Sequence, residues 1–302
     1  MHKYSLKNEE EKNMKLKKIM ALALSAAMAL SMSATVFADD KVETVTDGKL
    51  TVATSPDFAP YEFYSIDDDG NPTLSGFDMD LAQYVADKMG LELEVIPMDF
   101  DGVLSELSQK NVDLGMAGLS PDPAREDAMD FSDLYYMGGQ SFVSVKDKAD
   151  QFKSLEDANN SDYSIGAQTG SIQLDLANKN TPDADIVSLP KVTDLITELL
   201  TGKMDGAFIE TAVAESYKKN YPDLEILFDV PYDSEGSAIG VSKGNEALLK
   251  AVNEAINEAL DDGSMDKFIA DATELAAGQT YEGVLDDNGA VPETADDAED
   301  AE

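Results

Sequence analysis

The chain has 302 residues, with 61 acidic side chains against 22 basic ones, no cysteine, no tryptophan and a single histidine, His2. With no cysteine, and with its one histidine ahead of a segment that reads as removable, it offers no thiolate nucleophile, no imidazole base, no disulfide framework and no ordinary zinc site. A formal charge of −39 repels nucleic acid and anionic membrane at long range, while 43% hydrophobic residues suffice for a packed core in one large or two medium domains.

The run Met14-Lys15-Leu16-Lys17-Lys18 precedes 20 uncharged residues, 19–38, that close on Val36-Phe37-Ala38 before Asp39-Asp40. A basic start, an apolar core and small residues at a polar boundary predict a secretory signal cut after Ala38, with residues 1–13 as an upstream extension. The same 20 residues are long enough for a retained membrane anchor, which is the competing reading. No cysteine stands there to carry lipid. Residues 39–47 read as a linker.

Residues 49–53 predict a strand. Phe77, Leu81, Val85 and Met89 then recur every four residues, one face of a helix that Gly90 ends. Between them, Asp67-Asp68-Asp69-Gly70-Asn71 lacks the distal glutamate of a calcium loop and reads as a hairpin turn. Leu91, Leu93 and Val95 alternate with Glu92 and Glu94 as a strand, Val103, Leu104 and Leu107 mark a second helix, and 112–117 is an apolar strand. This β-α-β-α-β order implies parallel strands with right-handed crossovers. It restarts after residue 160, with strands at 163–167, 184–189, 205–209 and 224–228 and helices at 171–179, around 195–200 and at 211–219. Between the two lobes, 141–145 is a β-branched and aromatic stretch. Residues 237–241 are its expected return partner in a two-strand hinge, and 245–272 are helical and expected back on the first lobe.

The predicted organisation is therefore lobe 1 at 48–140, a hinge strand at 141–145, lobe 2 at 146–236, a hinge strand at 237–241, and the return to lobe 1 at 242–280. Residues 282–302 hold nine acids and no base, so the segment from 281 onward reads as a solvated tail. Open α/β sheets place ligands beyond the carboxyl ends of their strands, which here is the cleft between lobes.

Four features follow strands. Arg125 is the only arginine among the 22 basic residues. Its planar fork suits a carboxylate, and a surface ion pair with Glu126 or Asp127 is the equal alternative. Thr169-Gly170-Ser171 opens a helix and can present free amides to an anion. Glu210 either binds an ammonium or simply favours a helix N-terminus. Phe58 and Phe100 are flat walls for a ligand or ordinary core residues.

Several motifs then converge. Ala53-Thr54-Ser55-Pro56-Asp57-Phe58-Ala59-Pro60-Tyr61-Glu62-Phe63, Gly76-Phe77-Asp78-Met79-Asp80-Leu81, Ala117-Gly118-Leu119-Ser120 with Arg125, Asp130-Phe131-Ser132, Tyr135-Tyr136, Gln168-Thr169-Gly170-Ser171 and Asp205-Gly206-Ala207-Phe208-Ile209-Glu210 together resemble the polar amino-acid-binding proteins of ABC importers over roughly 48–275. The resemblance implies an α/β, two-lobed periplasmic-binding-protein type II fold that closes about a hinge, a secreted monomer that binds an amino acid and hands it to a membrane permease. It implies no cofactor, metal, nucleic acid or catalytic residue. By resemblance, Arg125, Ser120, Gly170 and Ser171 receive the ligand carboxylate, Glu210 and the Gly118 carbonyl receive its ammonium, and Ser55, Phe58, Phe100 and Tyr61 line the side-chain pocket. Two positions depart from the family: Glu210 stands where aspartate is commoner, and Ser55 where relatives that bind glutamine or cationic side chains carry aspartate. Asp57 and Glu62 stand close by. The competing functions are an enzyme on the same scaffold, like cyclohexadienyl dehydratase, with Glu210 as general acid, and a sensory receptor without a permease.

Overall fold

The computed structural model describes residues 42–66, 70–233 and 236–277. The predicted leader, residues 67–69 of the predicted turn and the predicted acidic tail lie outside them.

Two five-stranded mixed sheets and one small sheet form the frame. In the first sheet the order is β5 (Glu92–Pro97), β1 (Lys49–Thr54), β6 (Leu114–Gly115), β13 (Ser237–Ser242) and β7 (Met129–Tyr136). β1 is parallel to both β5 and β6, as the β-α-β-α-β reading requires, whereas β13 runs antiparallel to β6 and β7. The apolar run Leu50, Val52 and Ala53 is buried because the strand has neighbours on both edges and helices on its faces. At the sheet edge β5 keeps the alternating glutamates of its wet face.

Helix α1 (Phe77–Met89) buries Phe77, Leu81 and Val85 of the predicted stripe together with Ala82 and Ala86, while Met89 at its end is half-buried. Gly90 ends it in the left-handed conformation at φ 68°, and Leu91 N returns to the Ala86 carbonyl, so the last carbonyls of the helix are satisfied. Helix α2 (Phe100–Ser108) covers the other face of β1, with Val103 and Leu107 buried.

In the second sheet the order is β10 (Asp185–Leu189), β9 (Ser164–Gln168), β11 (Gly206–Glu210), β8 (Gln140–Val145) and β12 (Leu224–Asp229). The short α3 (Leu155–Ala158) precedes β9. Helices α4 (Ile172–Asn180), α5 (Val192–Leu200) and α6 (Thr211–Asn220) connect the strands. Helices α7 (Glu246–Asp261) and α8 (Ser264–Ala276) pack on α1, so the expected helical return to the first lobe is made by two helices separated at Gly263.

One expectation is corrected. Residues 237–241 do not pair with 141–145: β8 lies between β11 and β12 in the second sheet, and β13 lies between β6 and β7 in the first. The segments that run side by side between the sheets are the connections at 137–139 and 230–233. There Val230 N donates to the Gln140 carbonyl at 2.7 Å and the Tyr232 hydroxyl to the Gly138 carbonyl at 3.3 Å. A β-branched composition identifies a strand but not its partner, and each strand had a longer ladder on offer within a sheet.

A three-stranded antiparallel sheet, β2 (Asp57–Phe58), β3 (Glu62–Ile66) and β4 (Pro72–Ser75), stands apart. It had no counterpart in the predicted elements, although Ile66 opposite Pro72 agrees with a hairpin around 67–71. One apolar cluster runs from Leu50, Phe77 and Val252 through Phe58 and Tyr61 to Val192, Leu195 and Tyr217, so the core continues from the first lobe into the second.

Candidate functional site

On the first lobe the loop after β1 turns sharply. Ser55 is buried and its hydroxyl donates to Asp57 Oδ1 at 2.8 Å. Phe58 and Tyr61 are both buried, their ring centroids 5.4 Å apart, and the Tyr61 ring also packs 4.3 Å from Phe77. Gly118, at the end of β6, has φ +55°, and a Cβ there would lie 2.7 Å from Phe58 Cε1. Only glycine lets the backbone lie this close to the ring. The Gly118 amide donates to Asp78 Oδ2 at 3.2 Å, which ties the loop to the start of α1.

Arg125 closes a short 3-10 turn, Pro123–Arg125, whose start is capped by the Asp122 carboxylate accepting from Ala124 N. Its Nη2 donates to the Gly170 carbonyl at 3.1 Å and its Nη1 to the Ser120 carbonyl at 3.5 Å, so the guanidinium touches both lobes. Its central carbon sits 5.8 Å from the centre of the Phe100 ring, within cation–π range. Among the described residues no carboxylate lies within ion-pair distance of Arg125, and the alternative of a pair with Glu126 or Asp127 does not form. Burial lowers its pKa from the ordinary value, since carbonyl oxygens only partly replace water around the charge.

On the second lobe Gly170 takes φ +76° in the turn from β9 to α4 and faces Asp101 and Leu104 of the first lobe. Ser171 is the N-cap of α4: its hydroxyl accepts from Leu174 N at 3.3 Å and donates to the Gln168 carbonyl at 2.7 Å. Glu210 ends β11 and caps α6, with Oε2 accepting from Val213 N at 2.9 Å. Its other oxygen accepts from the Tyr61 hydroxyl at 3.2 Å and the Gly139 amide at 3.4 Å. Gly138 fits against it only because it lacks a Cβ, which would lie 2.6 Å from Oε1. The carboxyl is buried without a cation among the described residues, and desolvation pushes its pKa up to about 7 despite these donors.

The lobes also meet at Asp57, which sequence reasoning marks only for its charge. Its carboxylate accepts from Val192 N, the uncapped first turn of α5, and from Gln168 Nε2 at 3.4 Å, while its carbonyl accepts from the Tyr217 hydroxyl at 3.0 Å. Burial pushes Asp57 up to about 6.

All the predicted site residues thus lie where the two lobes face each other, in two groups. Ser55, Phe58, Tyr61 and Gly118 form one with Asp57, while Ser120, Phe100, Arg125 and Gly170 form the other. Tyr61 joins Glu210 to the first group. The side chains of Ser171 and Glu210 double as helix caps. Sequence reasoning leaves out Gln168, Tyr217 and the Gly138-Gly139 pair. Only the glycine pair carries a local signal, since adjacent glycines after a strand permit a close approach.

Two α/β lobes packed face to face, with a half-buried cationic fork and a buried carboxylate where they meet, define a binding protein of the two-lobed receptor class. A match to the family described as bacterial extracellular solute-binding proteins, family 3, spans residues 50–271, and the chain belongs to that family. It is similar to the arginine-binding extracellular protein ArtP of Bacillus subtilis (strain 168), with 35% identity over 223 residues, 72% of this chain and 84% of that one. Its fold matches the structure of AbpA, an amino acid ABC transporter substrate-binding protein from Streptococcus pneumoniae Canada MDR_19A bound to L-arginine. The TM-score is 0.74 at 34% identity, covering 77% of this chain and 97% of that one. Cyclohexadienyl dehydratase of Pseudomonas aeruginosa is 25% identical over 177 residues, 59% of this chain and 65% of the enzyme. The more similar proteins are described as binding proteins, and this chain is a solute-binding protein of their family.

Proposed function

We propose that the protein is a secreted receptor that binds an α-amino acid between its lobes, arginine first among them, and delivers it to an ABC permease. The observation that carries this reading is that half-buried Arg125 and buried Glu210, at one lobe interface, have no ion-pair partner among the described residues. A buried charge without a counter-charge is costly, and an α-amino acid brings one of each sign. In this reading the carboxylate meets Arg125 with Ser120, Gly170 and Ser171, and the ammonium meets Glu210 and the Gly118 carbonyl. Phe58, Phe100, Tyr61 and Ser55 surround the side chain.

Arginine leads because ArtP is an arginine-binding protein and AbpA is bound to L-arginine in its structure. The test is calorimetry and thermal shift against the twenty amino acids, with Arg125→Ala as control. A ligand at 100 times its dissociation constant raises stability by about 2.7 kcal/mol. Arg125→Ala is expected to lose about 2–5 kcal/mol of affinity, as for truncated buried ion pairs. An unresponsive wild type, or a variant that binds as tightly, overturns the reading.

A further inference from the structure

Glu62, Asp78 and Tyr135 form a buried polar cluster that no ligand contact explains. Glu62 and Asp78 are 0% exposed and Tyr135 2%. Neither oxygen of Glu62 has a hydrogen-bond partner of ordinary geometry, nor has Asp78 Oδ1 or the Tyr135 hydroxyl. Yet the groups lie together: the Glu62 carboxyl neighbours that of Asp78, and the Tyr135 phenol neighbours Asp78.

The backbone forces this meeting. Gly76, at φ +126°, would place a Cβ 2.0 Å from the Tyr61 carbonyl, so its bare Cα lets the start of α1 lie flat on the Tyr61–Glu62 backbone. Asp78 N then donates to the Tyr61 carbonyl at 2.9 Å and its side chain arrives beside Glu62 at the head of β3. Two carboxylates offer acceptors only. Their contact is a bond only when one of them holds a proton, and among the described residues no cation stands by to supply another solution. The remaining Asp78 oxygen, Oδ2, accepts from the Gly118 amide.

We propose that Glu62 and Asp78 share one proton, and that this pair is the positioning element that holds the Gly118 loop against Phe58 in its binding geometry. The inference rests on the amino-acid-receptor reading for its consequence, but not for the shared proton itself. Glu62 is the proton holder, because burial and the neighbouring Asp78 and Asp57 raise it well above the usual carboxylate range, whereas Asp78, raised to about 6, keeps the amide donor of Gly118. The ionisable groups facing the pair are Asp57 from β2, Tyr61 from the β2–β3 turn and Tyr135 from β7, with Tyr136 and Glu210 behind Tyr61; all are neutral or acidic. A carboxyl whose folded pKa is raised stabilises most below its unfolded value and loses that contribution as pH climbs through the folded value. The pair therefore weakens the protein, and loosens the Gly118 loop, toward alkaline pH.

Glu62→Gln replaces the shared proton with a permanent amide donor. The full-length variant is expected to bind arginine within about threefold of wild type at pH 7, whereas Asp78→Ala, which removes the acceptor of the Gly118 amide, is expected to weaken binding about tenfold or more. Melting temperature from pH 5 to 9.5, measured without ligand, is expected to fall more steeply for wild type than for Glu62→Gln. Parallel melting profiles, or a wild-type profile that steepens or flattens with added potassium or sodium, overturn the shared proton. Glu62→Gln binding as weakly as Asp78→Ala overturns the positioning role. If no amino acid binds wild type, the receptor reading fails, while the melting profiles still decide the proton.

Discussion

A carboxyl buried without a cation holds its proton longer, and with Glu210 as the proposed ammonium partner this would couple ligand capture to pH. Burial raises its pKa from 4.5 to about 7, so its contribution to the stability of the empty protein is full below 4.5 and disappears as pH climbs through 7. An ammonium, in contrast, prefers the charged carboxylate, so binding expels whatever proton remains. Affinity is therefore expected to fall as pH drops below about 7, approaching a tenfold loss per unit, with net proton release. Calorimetry in buffers of different ionisation enthalpy measures that release directly. Glu210→Gln is expected to abolish it and to lose about 2–5 kcal/mol of affinity. Proton release that survives the substitution would remove Glu210 from the ammonium site. Its bonds also show why sequence leaves Glu210 with two readings: one oxygen caps α6 while the other faces Tyr61 at the lobe interface, where the proposed ligand would meet it.

At the scale of elements, Ser171 separates the same two roles. Its hydroxyl is occupied at both ends, by Leu174 N and the Gln168 carbonyl, which makes it a stabiliser of α4. Ser171→Ala is expected to cost about 1 kcal/mol of stability, the usual loss for an N-cap. Arginine affinity is expected to change by less than about threefold, because backbone amides remain. Equilibrium denaturation and calorimetry on the same variant separate the effects, and a large affinity loss at unchanged stability would give the hydroxyl to the ligand. Elements of this kind are legible wherever a period is long enough to count, as in the four-residue repeat of Phe77, Leu81, Val85 and Met89. β7 enters the sequence reading only as part of a motif, because its buried residues Met129, Ser132 and Tyr135 fall three apart and register shifts break its alternation. The β2–β3–β4 sheet is not legible, because strands of two to five residues carry too few alternations to register. Pairing between β8, β13 and their neighbours is equally beyond reach, since it depends on contacts distant in sequence.

At the scale of the whole molecule the important residue is Asp57, and it is the part of the site that sequence could least supply. Its neighbour Ser55 marks a missing charge, but only the fold shows the Asp57 carboxylate capping α5 from the opposite lobe while Gln168 and Tyr217 hold it. A helix start satisfied by a residue of the other lobe is a direct bond between lobes that needs no ligand. Such a bond raises the share of the empty protein already in the binding-competent form, and apparent affinity scales with that share. Asp57→Ala is therefore expected to expand the ligand-free protein in small-angle scattering and to weaken every amino acid that binds by a similar factor, about three- to tenfold. Selectivity among amino acids should be preserved. The pH sign is set by burial, which raises Asp57 from 3.8 to about 6 where the lobes meet. Its contribution to that state is full below 3.8 and lost as pH rises through 6, so the ligand-free protein is expected to be more compact at pH 5 than at pH 7.5, with a smaller difference in Asp57→Asn, where only Glu210 still titrates between the lobes. Equal scattering curves for wild type and Asp57→Ala at both pH values would show that the interlobe bond does not bias closure, and a loss confined to arginine would instead place Asp57 on the ligand side chain.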